Sequence, residues 1–127
     1  MPHLILVVDD DADIRTLLRR WLERDGHVVA EAADGTTGLN AALDGAHDIA
    51  FIDIGLPVLD GYELARRIRN DPVARRPCLV ALTASSDDPR TAFEAGFDAH
   101  VFKPVQAKTI AAVLDELPQW IGKNRKG

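Results

Sequence analysis

The chain predicts an α/β fold: a doubly wound parallel sheet built from five βα units in a single domain. Three observations lead there. Strand-like and helix-like patterns alternate with little chain left over, and the strand-like runs are short and almost continuously apolar, as expected for parallel strands covered on both faces. Four of these runs also end in a polar residue suited to phosphate chemistry: Asp9 with Asp10, then Asp53, Thr83 and Lys103. In an open sheet with right-handed crossovers, all the carboxyl ends lie on one edge, where such folds bind ligands. Side chains far apart in sequence should therefore converge.

The elements follow in order. Leu4 to Val8 is the first strand. From Ala12 to Arg24 the residues Ile14, Leu17, Leu18, Trp21 and Leu22 recur at helical spacing, so one face is buried. Asp25-Gly26-His27 ends that helix, Val28 to Ala32 is the second strand, and Thr36 to Leu43 is a short second helix before Asp44-Gly45. Ile49 to Ile52 is the third strand. Gly55, Pro57, Asp60 and Gly61 then make a turn-rich loop, and Tyr62 to Arg69 resumes helical spacing until Asn70-Asp71-Pro72. Cys78 to Leu82 is the fourth strand, and Asp87-Asp88-Pro89 opens a fourth helix through Ala95, ended by Gly96. Ala99 to Phe102 is the fifth strand. The last helix starts after Pro104 and presents Ile110, Val113, Leu114 and Leu117, with Pro118 expected to kink or end it.

Composition narrows the function. The length of 127 residues suits one domain, and 46% hydrophobic residues supply its core. A formal charge of −5 argues against general nucleic-acid binding, which selects a basic face. The basic Lys123 to Lys126 stretch reads as a solvated tail. No apolar stretch reaches the length of a membrane span, and Met1-Pro2-His3 leads into a strand without a signal-peptide pattern, so the expected location is cytoplasmic. The single cysteine, Cys78, reads as core packing in a reducing compartment. Walker and dinucleotide-binding loops and clusters of Cys or His are missing from the sequence, which leaves nucleotide and zinc functions without support.

The acids carry the chemistry. Three carboxylates at one sheet edge repel one another, and burial raises the cost of their charge unless a cation neutralises them. Oxygen-only ligands suit Mg²⁺, with Mn²⁺ as an alternative, and Mg²⁺ binds phosphate together with one or two carboxylates. Asp9, Asp10 and Asp53 form such a set, with Asp53 as an aspartyl-phosphate nucleophile. Lys103 offers a charge to a second phosphoryl oxygen, and Thr83 a hydroxyl to a third. Asp11, Asp13 and Asp60 read instead as caps or turn residues. A calcium loop starting at Asp9 fails, because Ile14 stands at the required glycine and Arg20 at the required glutamate. Trp21 and Trp120 read as packing.

Val7-Val8-Asp9-Asp10, Asp53 with Leu56-Pro57 and Asp60-Gly61, Leu82-Thr83-Ala84, Ala95-Gly96 and Lys103-Pro104 together resemble the receiver domain of bacterial two-component response regulators. The resemblance spans nearly the whole chain. It implies a CheY-like, flavodoxin-like sheet of order 2-1-3-4-5, in a receiver unit at residues 1–122 followed by the basic tail 123–127. It makes Asp53 the phosphoacceptor and Asp9 and Asp10 metal-site acids, with the Gly55 backbone carbonyl as a further ligand. It gives Thr83 and Lys103 switch and phosphate contacts, and it implies a cis Lys103-Pro104 bond. The implied donor is a phosphohistidine on a sensor histidine kinase or histidine phosphotransfer protein. The domain would be no general enzyme, catalysing only its own phosphorylation and dephosphorylation. Output would pass through the face of the fourth helix, fifth strand and fifth helix, to a downstream protein or a second copy. Where the family has an aromatic switch residue three before the lysine, this chain has His100, which is smaller, polar and titratable.

Two other readings use the same residues. One is a receiver-like binding module that works without phosphorylation. The other is a small Mg²⁺-dependent phosphohydrolase with its nucleophile in a D-x-D-x-[TV] motif; Asp9-x-Asp11 is followed by Ala12 and Asp13 rather than the needed Thr or Val. The residues given after Pro118 carry no DNA-binding or catalytic pattern, so output is expected through protein contacts or through further chain.

Overall fold

The computed structural model describes residues 2–45, 47–72 and 76–125, with side chains to residue 116. Five strands, β1 (Leu4–Val8), β2 (Val28–Ala32), β3 (Ile49–Asp53), β4 (Cys78–Thr83) and β5 (Ala99–Phe102), alternate with α1 (Ala12–Arg24), α2 (Gly35–Asp44), α3 (Gly61–Asn70), α4 (Pro89–Ala95) and α5 (Ala107–Arg125). The sheet is parallel throughout and ordered β2-β1-β3-β4-β5.

Strand alternation divides the core in two. Ile5, Val7, Ile49, Phe51, Val80 and Leu82 face α1 and α5, meeting Leu18, Leu22 and Ile110. Their neighbours Leu6, Val8, Ala50, Ile52, Leu79 and Ala81 face the opposite way, onto Leu64 and Ile68 of α3 and Ala92 of α4. Because β3 and β4 have neighbours on both sides and helices on both faces, every one of their residues is buried, the Cys78 side chain included. The edge strands β2 and β5 are only partly covered.

Acids hold the helix starts. Asp11, Asp34, Asp60 and Asp88 are N-caps of α1, α2, α3 and α4, each accepting a backbone N–H of the first turn. Gly96 closes α4 at φ 114°, the left-handed conformation that favours glycine. Asp11 and Asp60 are thus caps, as their sequence positions predicted, and Trp21 packs on the core cluster that includes Leu18 and Leu22.

Of the two effects expected at Pro118, an end to the helix is not seen: α5 runs on to Arg125. Proline removes one hydrogen bond, and those on either side of it can still form. Lys123–Arg125, expected as a tail, therefore begin inside the helix, while the side chains of Leu117 and Trp120 lie outside the described residues.

Candidate functional site

The register fixes the site. Asp9 directly follows β1, and its N–H donates to Ala32 O at 3.1 Å, extending the ladder by one step. Asp53 ends β3 opposite Leu82, and Thr83 ends β4 opposite Phe102. Lys103 follows β5, its N–H donating to Thr83 O at 2.7 Å. The Lys103-Pro104 bond is cis, as the resemblance implied.

Side-chain oxygens of Asp9, Asp10 and Asp53 lie within 4.8 Å of one another. Asp9 is fully buried and Asp53 nearly so, while Asp10 is exposed. The Lys103 ammonium sits 3.1 Å from Asp9 Oδ2 and 3.3 Å from Asp53 Oδ1. Burial pushes the Asp9 carboxyl above its ordinary pKa, the neighbouring Asp53 adds to this, and Asp11 N–H and Lys103 oppose it. Burial alone would lower Lys103, but Asp53 and Asp9 outweigh it and hold the ammonium above its usual range.

Backbone donors orient the acids. Asp11 N–H donates to Asp9 Oδ1 at 2.9 Å, and Gly55 N–H donates to Asp53 Oδ1 at 3.0 Å. Asp9 Oδ2 is buried without a hydrogen-bond donor in good geometry, its charged neighbour being Lys103. A buried carboxylate oxygen left in that state, among three acids with oxygen-only ligands, matches the needs of a hard divalent cation.

Thr83 turns its hydroxyl to the neighbouring strand. It is buried, and its hydroxyl donates toward Val101 O at 3.5 Å, the long limit of a hydrogen bond. His100 is half-buried and set edge-on to Phe93 and Phe102, with ring centroids 6.0 and 4.8 Å away. Its Nδ1 is buried without a partner.

Residues to which the sequence reading gave no role at the site also shape it. Arg15 donates to Asp9 O at 2.7 Å and to Glu31 at 3.2 Å, tying the end of β1 to β2. Tyr62 and Asp87 line the cleft beside Asp53 and Lys103. At Gly61 a Cβ would lie 2.5 Å from Asp53 O, so only glycine lets α3 start against that strand end. A glycine directly after the Asp60 cap was the available signal for this close approach.

This edge of acids and lysine agrees with the comparison to known proteins. The response regulator receiver domain family matches residues 5–115. The chain belongs to that family. This receiver domain is 43% identical over 114 residues to the transcriptional regulatory protein AfsQ1 of Streptomyces coelicolor, covering 88% of this chain and 49% of that protein. It is 35% identical over 108 residues to the transcriptional regulatory protein ResD of Bacillus subtilis, covering 84% and 44%. The chain thus spans about half the length of the curated relatives it matches.

Among solved structures, the receiver domain of the sensor histidine kinase PA1611 of Pseudomonas aeruginosa, which has a magnesium ion coordinated in its active-site cleft, superposes with a TM-score of 0.82. The identity is 31%, over 96% of this chain and 99% of that one. A CheY-like response regulator receiver domain protein of Methanospirillum hungatei gives a TM-score of 0.80 at 27% identity, over 99% of this chain and 98% of that one. The receiver is a module of two-component signalling. Among the described residues, no helix is long and apolar enough to cross a membrane.

Proposed function

We propose that the receiver accepts a phosphoryl group on Asp53 from a phosphohistidine of a sensor histidine kinase or histidine phosphotransfer protein. The single observation that carries this is the convergence of Asp9, Asp10, Asp53 and Lys103 on one sheet edge, with the Asp53 carboxylate opening into a cleft. An Asp53 oxygen forms the new P–O bond as the donor's P–N bond breaks, and the electron pair returns to the imidazole nitrogen, which takes a proton from water. Asp9, Asp10, Asp53 and the Gly55 carbonyl would hold Mg²⁺. Mg²⁺, or Mn²⁺ in its place, would neutralise charge on the acids and the transferring group. Lys103 is already beside Asp53, placed to bind one phosphoryl oxygen. Thr83 would exchange its long contact to Val101 for another, and movement there would reach His100 and Phe102 on β5.

The receiver would then signal through α4, β5 and α5, to a downstream protein or a second copy, as a stand-alone regulator or as part of a longer chain. The unit comprises residues 1–122, followed by the basic 123–127, and it acts in the cytoplasm, catalysing only its own phosphorylation and dephosphorylation. Intact-protein mass after incubation with acetyl phosphate tests the reading. A single Mg²⁺-dependent phosphoryl adduct is expected, absent from Asp53→Ala. No adduct on folded protein with Mg²⁺ present would leave a phosphorylation-independent binding module.

A further inference from the structure

At the sheet edge remote from Asp53, a buried guanidinium joins four elements. Arg69, near the end of α3, donates through Nε to Gly96 O at 2.9 Å, through Nη1 to Pro77 O at 2.8 Å and through Nη2 to Asp98 Oδ2 at 2.7 Å. The same Asp98 oxygen accepts Leu79 N–H at 3.0 Å, and Asp98 N–H donates to Leu79 O at 2.8 Å. The Arg69 side chain is only 13% exposed. Packing is equally close: a Cβ on Gly96 would lie 2.7 Å from Arg69 Cγ. The end of α4 is therefore fastened to α3, to the start of β4 and to the start of β5.

The opposite end of α4 is held differently. Ala84 N–H donates to Asp87 Oδ2, Asp87 N–H to Ala84 O, and Thr91 N–H and Arg90 to Asp88. Among the described residues, the hydrogen bonds of 84–91 close within that loop and its helix. The helix buries only Ala92 at its middle and Ala95 at its end, and leaves Phe93 exposed. Meanwhile Ala84 and Asp87 line the cleft that contains Asp53.

We infer that Arg69 is a positioning residue that makes Gly96 a fixed hinge, so that a group added to Asp53 moves α4 at its cleft end only. The helix swings about its C-terminus and does not shift bodily. Burial weakens the charged form of Arg69, and Asp98 offsets this in part, so the clamp depends on both partners.

Amide hydrogen exchange on the full chain tests the hinge without any ligand. In the wild type, Leu79, Gly96, Phe97 and Asp98 are expected to exchange at least about tenfold more slowly than Ala84, Asp87 and Thr91. In Arg69→Gln the first group should speed up about tenfold, while β1 and β3 keep their rates, because charged hydrogen bonds are lost locally. Arg69→Lys should recover part of the protection, and Asp98→Asn serves if Arg69→Gln does not fold. Even protection across 84–98 in the wild type would overturn the hinge, as would an Arg69→Gln effect spread equally over β1 and β3. A second arm adds Mg²⁺ and beryllofluoride and rests on Asp53 being the phosphoacceptor. With the adduct seen by its fluorine signal, resonances of 84–91 should shift more than those of 96–98, and equal shifts would overturn the hinge. An absent adduct overturns the phosphoacceptor reading, and the exchange gradient still decides the hinge.

Discussion

Val58 is the residue least at ease in this fold. It is β-branched, fully exposed and held at φ 66°, and Leu59 N–H closes a three-residue turn around it onto Pro57 O at 2.8 Å. Turns of that form are rare and strained, and the left-handed region costs an L-residue about 1–2 kcal/mol. The strain persists because Leu56 and Leu59 on either side are buried and fix the loop. Val58→Gly should therefore raise the urea midpoint, by a net gain of roughly 1 kcal/mol. An unchanged or lower midpoint would refute the strain. Nothing in the sequence marked Val58, since a positive φ follows from the buried leucines around it and not from its own chemistry. The acids were legible because each directly follows or ends an apolar run; the hydroxyl direction of Thr83 was not, because Val101 O, which it faces, comes from another strand.

At the scale of the element, helix starts were readable and helix contacts were not. Asp11, Asp60 and Asp88 announce their caps within a few residues, whereas the partners of Arg69 lie up to 29 residues away and exist only once β4 and β5 are paired. Pro118 shows the converse, since the local rule offered a kink or an end, and the longer helix excludes the end. The start of α3 is the most constrained element end. Gly61→Ala would place a methyl group 2.5 Å from both Asp53 O and Ile54 Cα, so the strand end or the helix must shift. A loss of about 1–3 kcal/mol is expected in urea unfolding, as for other overpacked sites. Phosphorylation by acetyl phosphate should slow as well, because Asp53 moves; a variant with unaltered stability and rate would show that the contact is easily relieved.

For the whole molecule, the response to pH is concentrated in histidines at the amino-terminal end of the sheet. At the amino-terminal edge, His3 N–H donates to His27 Nδ1 at 3.0 Å and the two rings stack. His27 is held below its ordinary pKa by burial and then by His3, and His47 by burial. Both are thus neutral in the folded protein at pH values where the unfolded chain, near 6.5, already takes up protons. Their contribution is present above about pH 6.5 and is lost as pH falls through the lower folded values. Urea midpoints should drop between pH 7.5 and 5, and His27→Asn, which can still accept from His3 N–H, should flatten part of that slope. A slope unchanged in this variant would exclude His27 as its source.

Cys78 turns the burial of β4 into a clock. Its side chain has no solvent exposure, it is the chain's single cysteine, and its strand is paired on both sides, with Leu82 opposite Asp53. A thiol reagent can reach it only when that part of the sheet opens, so the alkylation rate under native conditions counts openings without any label being engineered. Where the opening that exposes Cys78 also parts the end of β3 from β4, a ligand at Asp53 slows that count, and occupancy at the acidic edge becomes measurable from a sulfur atom at the other end of the strand.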